Sequence, residues 1–384
     1  MKRQLLITLL VCTPLCGISC QAAEQEEAST PDALLFLDTP TRLKRFRNMA
    51  DTYPTRVVRR SATPYPLPSA LRDFSTLNYR APSSDDALSL SDFIAHNKVA
   101  GLLILKDGKI LLEQYAMGND DSSLWVSFSV AKSVTSLLYG AAIKDGYIKS
   151  VDEKVTAYLP RLKGSSYDEV SIRHVLQMAS GVAWDETYDD PNSDVNSTSG
   201  DYLNLVATLA TKPRVAPAGT KFNYNTGETN LAGAILRAAI GNNLSTYLEA
   251  KIWQRFGMGS DANWLLDARA GGELGGCCIS ATLRDYGRIG LYALKASKGN
   301  IDQLPQDWIG QSTTPSQGAA YYGYLWWLTS PGAFTALGIY GQTIHVVPED
   351  NLVIITHGLW DTAVGQQYSA HQGQFFEAVI AFTR

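Results

Sequence analysis

Apolar and polar positions alternate in three regimes along the chain. Residues 99–106 and 109–115 are two apolar runs on either side of Asp107-Gly108, and that dipeptide between short apolar runs predicts a β-hairpin. Next comes Val126-Ser127-Phe128-Ser129-Val130-Ala131-Lys132-Ser133-Val134-Thr135-Ser136-Leu137-Leu138, whose apolar spacing predicts a buried helix running to about Ile143 and capped near Gly146. Residues 150–270 read as helical, clearest over 174–179 and 231–240, with connecting loops rich in Asp, Asn, Ser and Gly. Residues 321–328, 333–337, 343–347 and 352–357 are short β-type runs with a turn at Pro348-Glu349-Asp350-Asn351, and residues 375–382 close the chain as an amphipathic helix.

Strands near both ends with helices between them predict the α+β class: an antiparallel sheet from N- and C-terminal strands, flanked by helices and carrying a helical insertion. The implied division is a sheet domain over residues 91–149 and 271–384 and a helical domain over 150–270. The junction between the two is the natural cleft. Residues 24–90 form a leader and wrap, flexible to about residue 44 and irregular but ordered over about 46–84.

The extreme N-terminus changes the picture of where the protein works. Met1-Lys2-Arg3, an apolar run from Leu5 to Leu15, and small residues Ser19, Ala22 and Ala23 predict a signal peptide over residues 1–23 and export to the periplasm. Gly17-Ile18-Ser19-Cys20 leaves open a lipid anchor at Cys20, although Gly stands where Leu is usual. No later stretch is long and apolar enough to span a bilayer. A formal charge of −4, with 33 Lys and Arg against 37 Asp and Glu, provides no basic footprint for nucleic acid. Cys12, Cys16 and Cys20 belong to the signal region; Cys277 and Cys278 are adjacent and expected not to pair, so no disulfide framework is predicted. His96, His174, His345, His357 and His371 are scattered without ligand spacing, and no metal or cofactor is expected.

Chemistry enters with Ser129 and Lys132. Three apart on a helix, they share a face and could share a proton. A serine at a helix N-terminus also faces unpaired N–H groups that favour a developing oxyanion, and a neutral amine beside it could take the hydroxyl proton. The spacing alone is equally that of an N-cap serine followed by a solvated lysine. A second polar loop, residues 219–233, leads into a helix and carries Tyr224, a candidate general base and acid or simply a buried tyrosine.

Taken together, Ser129-x-x-Lys132 and Tyr224-Asn225-Thr226 resemble the first two motifs of the serine β-lactamase and penicillin-recognising superfamily, with Thr226 where Asn is commonest. Ala336-Leu337-Gly338 stands at the third motif, followed by Ile339-Tyr340-Gly341-Gln342. That motif usually begins with the lysine that helps hold a substrate carboxylate, and its absence argues against true β-lactamase activity. Phe128 to Ser133, residues 177–186 with Tyr188, and residues 190–195 are similar to the esterase-type branch and particularly to 6-aminohexanoate-dimer (nylon oligomer) hydrolases. Tyr158-Leu159-Pro160 and Arg284-Asp285-Tyr286 add to the likeness, which runs from about Phe46 to the C-terminus.

The resemblance implies a β-lactamase/transpeptidase-like fold with Ser129 as the acylated nucleophile and Lys132 and Tyr224 moving its proton. The N–H groups of Ser129 and Ile339 would form the oxyanion hole. Tyr188 matches a mobile tyrosine that closes over substrate, and Asn225 and Gly338 are expected at the substrate. Asp194 is either a site for a substrate ammonium or a solvated loop carboxylate. The expected function is an exported serine hydrolase of a small-molecule ester or amide. A peptidoglycan-directed D-amino-acid peptidase or penicillin-binding protein is the alternative, and a non-catalytic member of the fold is a third. Substrate and oligomeric state are not legible.

Overall fold

A computed structural model describes residues 31–82, 84–198 and 202–384. The stretch expected to be a signal peptide, with Cys20, lies outside the described residues. The chain folds around a five-stranded antiparallel sheet. Its strands are β2 (Val99–Lys106), β3 (Lys109–Tyr115), β7 (Phe334–Gly338), β8 (Gln342–Val347) and β9 (Leu352–Gly358), after β1 (Thr55–Val58), β4 (Leu124–Val126), β5 (Ala262–Leu265) and β6 (Ile279–Thr282) are assigned elsewhere. The order is β3-β2-β9-β8-β7, so the first hairpin pairs directly with the last strands, Ile104 opposite Ile354 and Ile344 opposite Ile355. The hairpin turns on Asp107 and Gly108, both at positive φ (51° and 75°), the backbone a tight two-residue turn requires.

Both faces of this sheet are covered. Leu103, Leu105, Val353 and Ile355 face the helix Leu283–Ser297 and the main core, while Leu102, Ile104, Leu352 and Ile354 face the C-terminal helix Gln366–Thr383 through Phe375, Phe376 and Val379. Burial on both sides explains why β2 reads as an unbroken apolar run rather than an alternating one. The class is α+β, and the antiparallel sheet from both termini is flanked by helices as expected.

Four local expectations are corrected. A second sheet, β1-β5-β6-β4, joins the wrap to the helical region, and β5 lies inside the stretch expected to be wholly helical. Part of the leader expected to be flexible is the helix α1 (Thr39–Arg47), with Arg42 and Phe46 buried. Residues 321–328 do not form a strand of the main sheet. They fold back at Leu325 (φ 61°) and make only isolated bridges, Tyr322 to Trp327 and Trp327 to Thr335. Cys277 and Cys278 are joined by a disulfide. They sit in a turn closed by Cys277 N–H on the Leu274 carbonyl (3.3 Å), not in a strand that would point successive side chains apart. Among the described residues no helix is long and apolar enough to cross a membrane.

Two histidines are buried in the main sheet with Nε2 unpartnered: His345, whose Nδ1 meets Thr335 Oγ1 at 2.8 Å, and His357, stacked on Trp125. Burial lowers them to about 4 and about 3. The sign follows from the unfolded state, which binds the proton near pH 6.5 while the fold refuses it. Stability contributed by each neutral ring is therefore lost as pH falls below 6.5, by about 1.4 kcal/mol per pH unit until the folded value is reached. We expect His357→Phe to lessen the stability lost between pH 7 and pH 5 by about 2 kcal/mol. Urea midpoints of variant and wild type at both pH values measure it, and parallel losses would show that His357 is not responsible.

Candidate active site

Strand β4 ends at Val126 and the helix α2 (Val130–Lys144) begins four residues later. Between them the backbone makes a sharp elbow. Phe128 takes a left-handed conformation (φ 43°), uncommon for a bulky residue, and Ser129 is the N-cap. Ser127 pins the elbow to β6: its N–H reaches the Ile279 carbonyl (2.8 Å) and its Oγ accepts from Ile279 N–H (2.8 Å). The side chain of Ser129 makes no capping bond to its own helix. It is thus left to Lys132.

Nearly all of α2 from Val130 to Ala142 is buried, Lys132 included. Two of its polar side chains are satisfied by neighbouring backbone, Ser133 Oγ on the Leu325 carbonyl (2.6 Å) and Thr135 Oγ1 on the Gly275 carbonyl (2.8 Å), while Ser136 Oγ is buried without a partner. Lys132 Nζ donates to Ser129 Oγ (3.0 Å), Thr226 Oγ1 (3.0 Å) and the Gly276 carbonyl (2.9 Å). Gly276 is held in turn by its N–H on Asn230 Oδ1 (2.9 Å). Burial pulls the Lys132 ammonium down to about 8, partly opposed by the charge of Glu186. The solvated-lysine alternative therefore does not describe this residue.

The second motif opens the helix α3 (Thr226–Ile240). Tyr224 is packed with its ring 5.3 Å from Lys132 Nζ and stacked on Trp327 at 5.5 Å. Burial first, and then the charge of Glu186, push its phenol well above the ordinary tyrosine value, while a hydrogen bond with the Ser129 side chain draws it partly back. Asn225, expected at the substrate, is the buried N-cap of α3, its Oδ1 accepting from Glu228 N–H (2.8 Å).

Other expected residues are placed as follows. Tyr188 donates to Glu186 (2.9 Å), the carboxylate that also takes the Thr226 hydroxyl. Asp194 is occupied elsewhere: its carboxylate accepts from Asp185 N–H (3.0 Å) and pairs with Lys212, which makes it a loop fastener rather than a free site for an ammonium. Gly338 and Ile339 end β7 beside the elbow. A Cβ on Gly338 would stand 2.4 Å from the Ser127 carbonyl, so the glycine admits the elbow itself, whereas the sequence reading reserved that space for substrate. Ala336, where the resemblance expects a lysine, is fully buried opposite Ile344.

The residue not singled out by sequence is Glu186. It accepts from Thr226 N–H (2.9 Å), the Thr226 hydroxyl, Trp184 Nε1 and Tyr188. A loop glutamate has no fixed spacing to a Ser-x-x-Lys pair. The only sequence signal is the aromatic on each side, at 184 and 188. Among the described residues there is no group of three metal-binding side chains, so the arrangement is one of hydroxyls, an amine, a phenol and a carboxylate.

The Beta-lactamase family model matches residues 91–357. A curated 6-aminohexanoate-dimer hydrolase of Paenarthrobacter ureafaciens is 25% identical over 361 residues, covering 87% of this chain and 89% of its own. A solved Bacillus anthracis structure, assigned provisionally as a 6-aminohexanoate-dimer hydrolase, superposes with a TM-score of 0.79 at 21% identity over 90% of this chain and 95% of its own. EstCE1, a hydrolase with promiscuous acyltransferase activity, superposes at 0.61 with 15% identity over 76% of this chain and 96% of its own.

The packing of Gly338 makes a specific expectation. Gly338→Ala must push the Ser127 carbonyl or the β7 backbone by tenths of an ångström, at a cost of roughly 1–3 kcal/mol. It should lower thermal stability and also slow covalent labelling of Ser129 by a fluorophosphonate. Wild-type melting and labelling together would disprove the close approach.

Proposed function

The chain belongs to the Beta-lactamase family, and on that premise we propose that it is an exported serine hydrolase acting on a carboxylic ester or amide through an acyl-enzyme on Ser129. The observation that carries this is the Lys132 amine, desolvated to about 8 and 3.0 Å from Ser129 Oγ. Similarity to the 6-aminohexanoate-dimer hydrolase over nearly the full length supports the ester or amide branch.

In the proposed reaction Ser129 Oγ attacks the carbonyl carbon and its proton passes to neutral Lys132 Nζ. The N–H groups of Ser129 and Ile339 would hold the tetrahedral oxyanion. Collapse breaks the bond to the leaving alcohol or amine, which takes a proton from the Tyr224 hydroxyl, itself resupplied from Lys132. Water then attacks the acyl carbon by the same route, and Ser129 leaves with its proton restored. Ala336 offers no cation where a penicillin-type carboxylate would need one. The signal-like N-terminus supports export, and the bond from Tyr188 to Glu186, next to Thr226, supports a substrate-covering role for that tyrosine.

The sign of the pH dependence follows. Lys132 must be neutral to accept, so turnover should fall about tenfold per pH unit below an inflection near pH 8. Short p-nitrophenyl esters should be hydrolysed, with loss of at least about a thousandfold in Ser129→Ala, and a chromogenic cephalosporin should be left intact. Cephalosporin turnover would move the protein to the penicillin-recognising alternative. A wild type that neither turns over ester nor takes a fluorophosphonate would defeat the hydrolase reading altogether.

A further inference from the structure

The most heavily bonded side chain beside Lys132 and Thr226 is a carboxylate that the proposed reaction does not use. Glu186 receives four donors from two segments. From its own loop come Trp184 Nε1 and Tyr188 OH, and from the start of α3 come the N–H and hydroxyl of Thr226. The Thr226 hydroxyl has one proton. Because it donates that proton to Glu186, its lone pairs are turned to Lys132 Nζ, 3.0 Å away. A continuous chain therefore runs from the Glu186 carboxylate through Thr226 to Lys132 and on to Ser129 Oγ. Threonine at 226 is what permits it, since a hydroxyl can donate to one side and accept from the other.

We propose that Glu186 is a positioning residue: through the Thr226 hydroxyl it fixes Lys132 Nζ on Ser129 Oγ, and through Tyr188 and Trp184 it fastens its own loop to the start of α3. The inference rests on the hydrolase reading. Bonding at the helix start is favourable in itself, because the carboxylate meets the positive end of the α3 dipole and one of its unpaired N–H groups. The fastening is tight on the loop side too. A Cβ on Gly227 would stand 2.6 Å from the Trp184 ring, so the ring packs directly against the first turn of α3. Asn223 Nδ2 adds a bond to the Trp184 carbonyl (3.1 Å).

The charge acts on the site as well as its geometry. Glu186 raises the affinity for protons of Lys132, Tyr188, Tyr224 and Tyr322, the four titratable groups around it. The three phenols are held well above the ordinary tyrosine value, so of these four Lys132 alone changes state near neutrality. Glu228, on the same helix, is raised to about 7 by burial, but it bonds Tyr167 (3.1 Å) and Ser180 and contributes to neither the Lys132 nor the Tyr224 shift. Asp185 and Asp194 are taken up by loop bonds to Thr187 and Lys212.

The test is the rate of fluorophosphonate labelling of Ser129 as a function of pH, which needs no knowledge of the substrate. For Glu186→Gln the plateau rate should fall by about 10- to 100-fold. Its inflection should move below the wild-type one, because the charge that favours the Lys132 ammonium is gone. Thr226→Val should slow labelling comparably, and Thr226→Ser should restore it to within a few-fold. A purely structural role would change the amount of folded protein but not the inflection. Glu186→Gln with plateau and inflection both unchanged overturns the proposal while leaving the hydrolase reading standing. If that variant does not fold, Thr226→Val labelled at the wild-type rate overturns it equally. An unlabelled wild type removes the hydrolase reading, and the proposal with it.

Discussion

Burying an amine is the constraint on which the rest of this molecule depends. Moving Lys132 from an ordinary lysine value of 10.5 to about 8 corresponds to about 3 kcal/mol set against the ammonium. An unpartnered buried charge would cost several kcal/mol more. What offsets it is three acceptors from three separate stretches: the first turn of α2, the first turn of α3 and the turn before β6. Those stretches belong to parts of the chain almost 150 residues apart. Helical insertion and sheet must therefore dock correctly before the lysine has more than its local partner Ser129, and the complete site forms only when the whole fold does.

A second constraint runs beside it. Phe128 and Tyr340 are both left-handed, and each adjoins a residue proposed to supply an oxyanion N–H. Such conformations cost of order 1–3 kcal/mol each and persist only where surroundings over-determine them. Here one ring does much of that work. Phe46 of α1 lies 4.9 Å from Phe128 and 5.4 Å from Tyr340, which are 5.4 Å from one another. Arg42 sits over Tyr340 at 4.6 Å, and the Tyr340 hydroxyl reaches the Leu35 carbonyl at 3.1 Å. The N-terminal segment is thus the back wall of the site, holding two strained peptides in register from behind.

That wall was illegible in sequence, and for a physical reason. Thr39–Arg47 is dominated by Arg, Lys and Thr, so no apolar period marks it as a helix, and its burial depends on single contacts made by Phe46 and Arg42. The hairpin and α2 could be read because their signals are local: a positive-φ turn between apolar runs, and a helical period ending at Gly146. Strand β5 is four residues long and interrupted by Asn263, too short for alternation to declare itself. Residues 321–328 are apolar enough for a strand, yet Leu325 turns left-handed and sends Trp326 into the core and Trp327 toward Tyr224. At the site, Ser129, Lys132 and Tyr224 were legible through the likeness of their motifs to those of a known superfamily, since the Ser-x-x-Lys spacing alone left a bland reading open. The fate of Asp194 depended on Lys212, eighteen residues away, and no spacing rule links them.

The same carboxylate acts on Lys132 and Tyr224 in one direction and yields opposite consequences. Raising the proton affinity of a lysine favours its charged form; raising that of a tyrosine favours its neutral form. Burial reinforces the second effect and opposes the first. Tyr224 is therefore held as a proton donor throughout the neutral range, whereas Lys132 stands near balance between its two states. On the proposed reading this gives the proton a direction. Ser129 releases it to the one group able to accept it, the ammonium so formed lies beside a fixed negative charge, and the phenol is ready to deliver a proton to the leaving group. A site in which tyrosine were the resting base would need the carboxylate elsewhere, because beside Glu186 a phenolate would be opposed by both burial and charge.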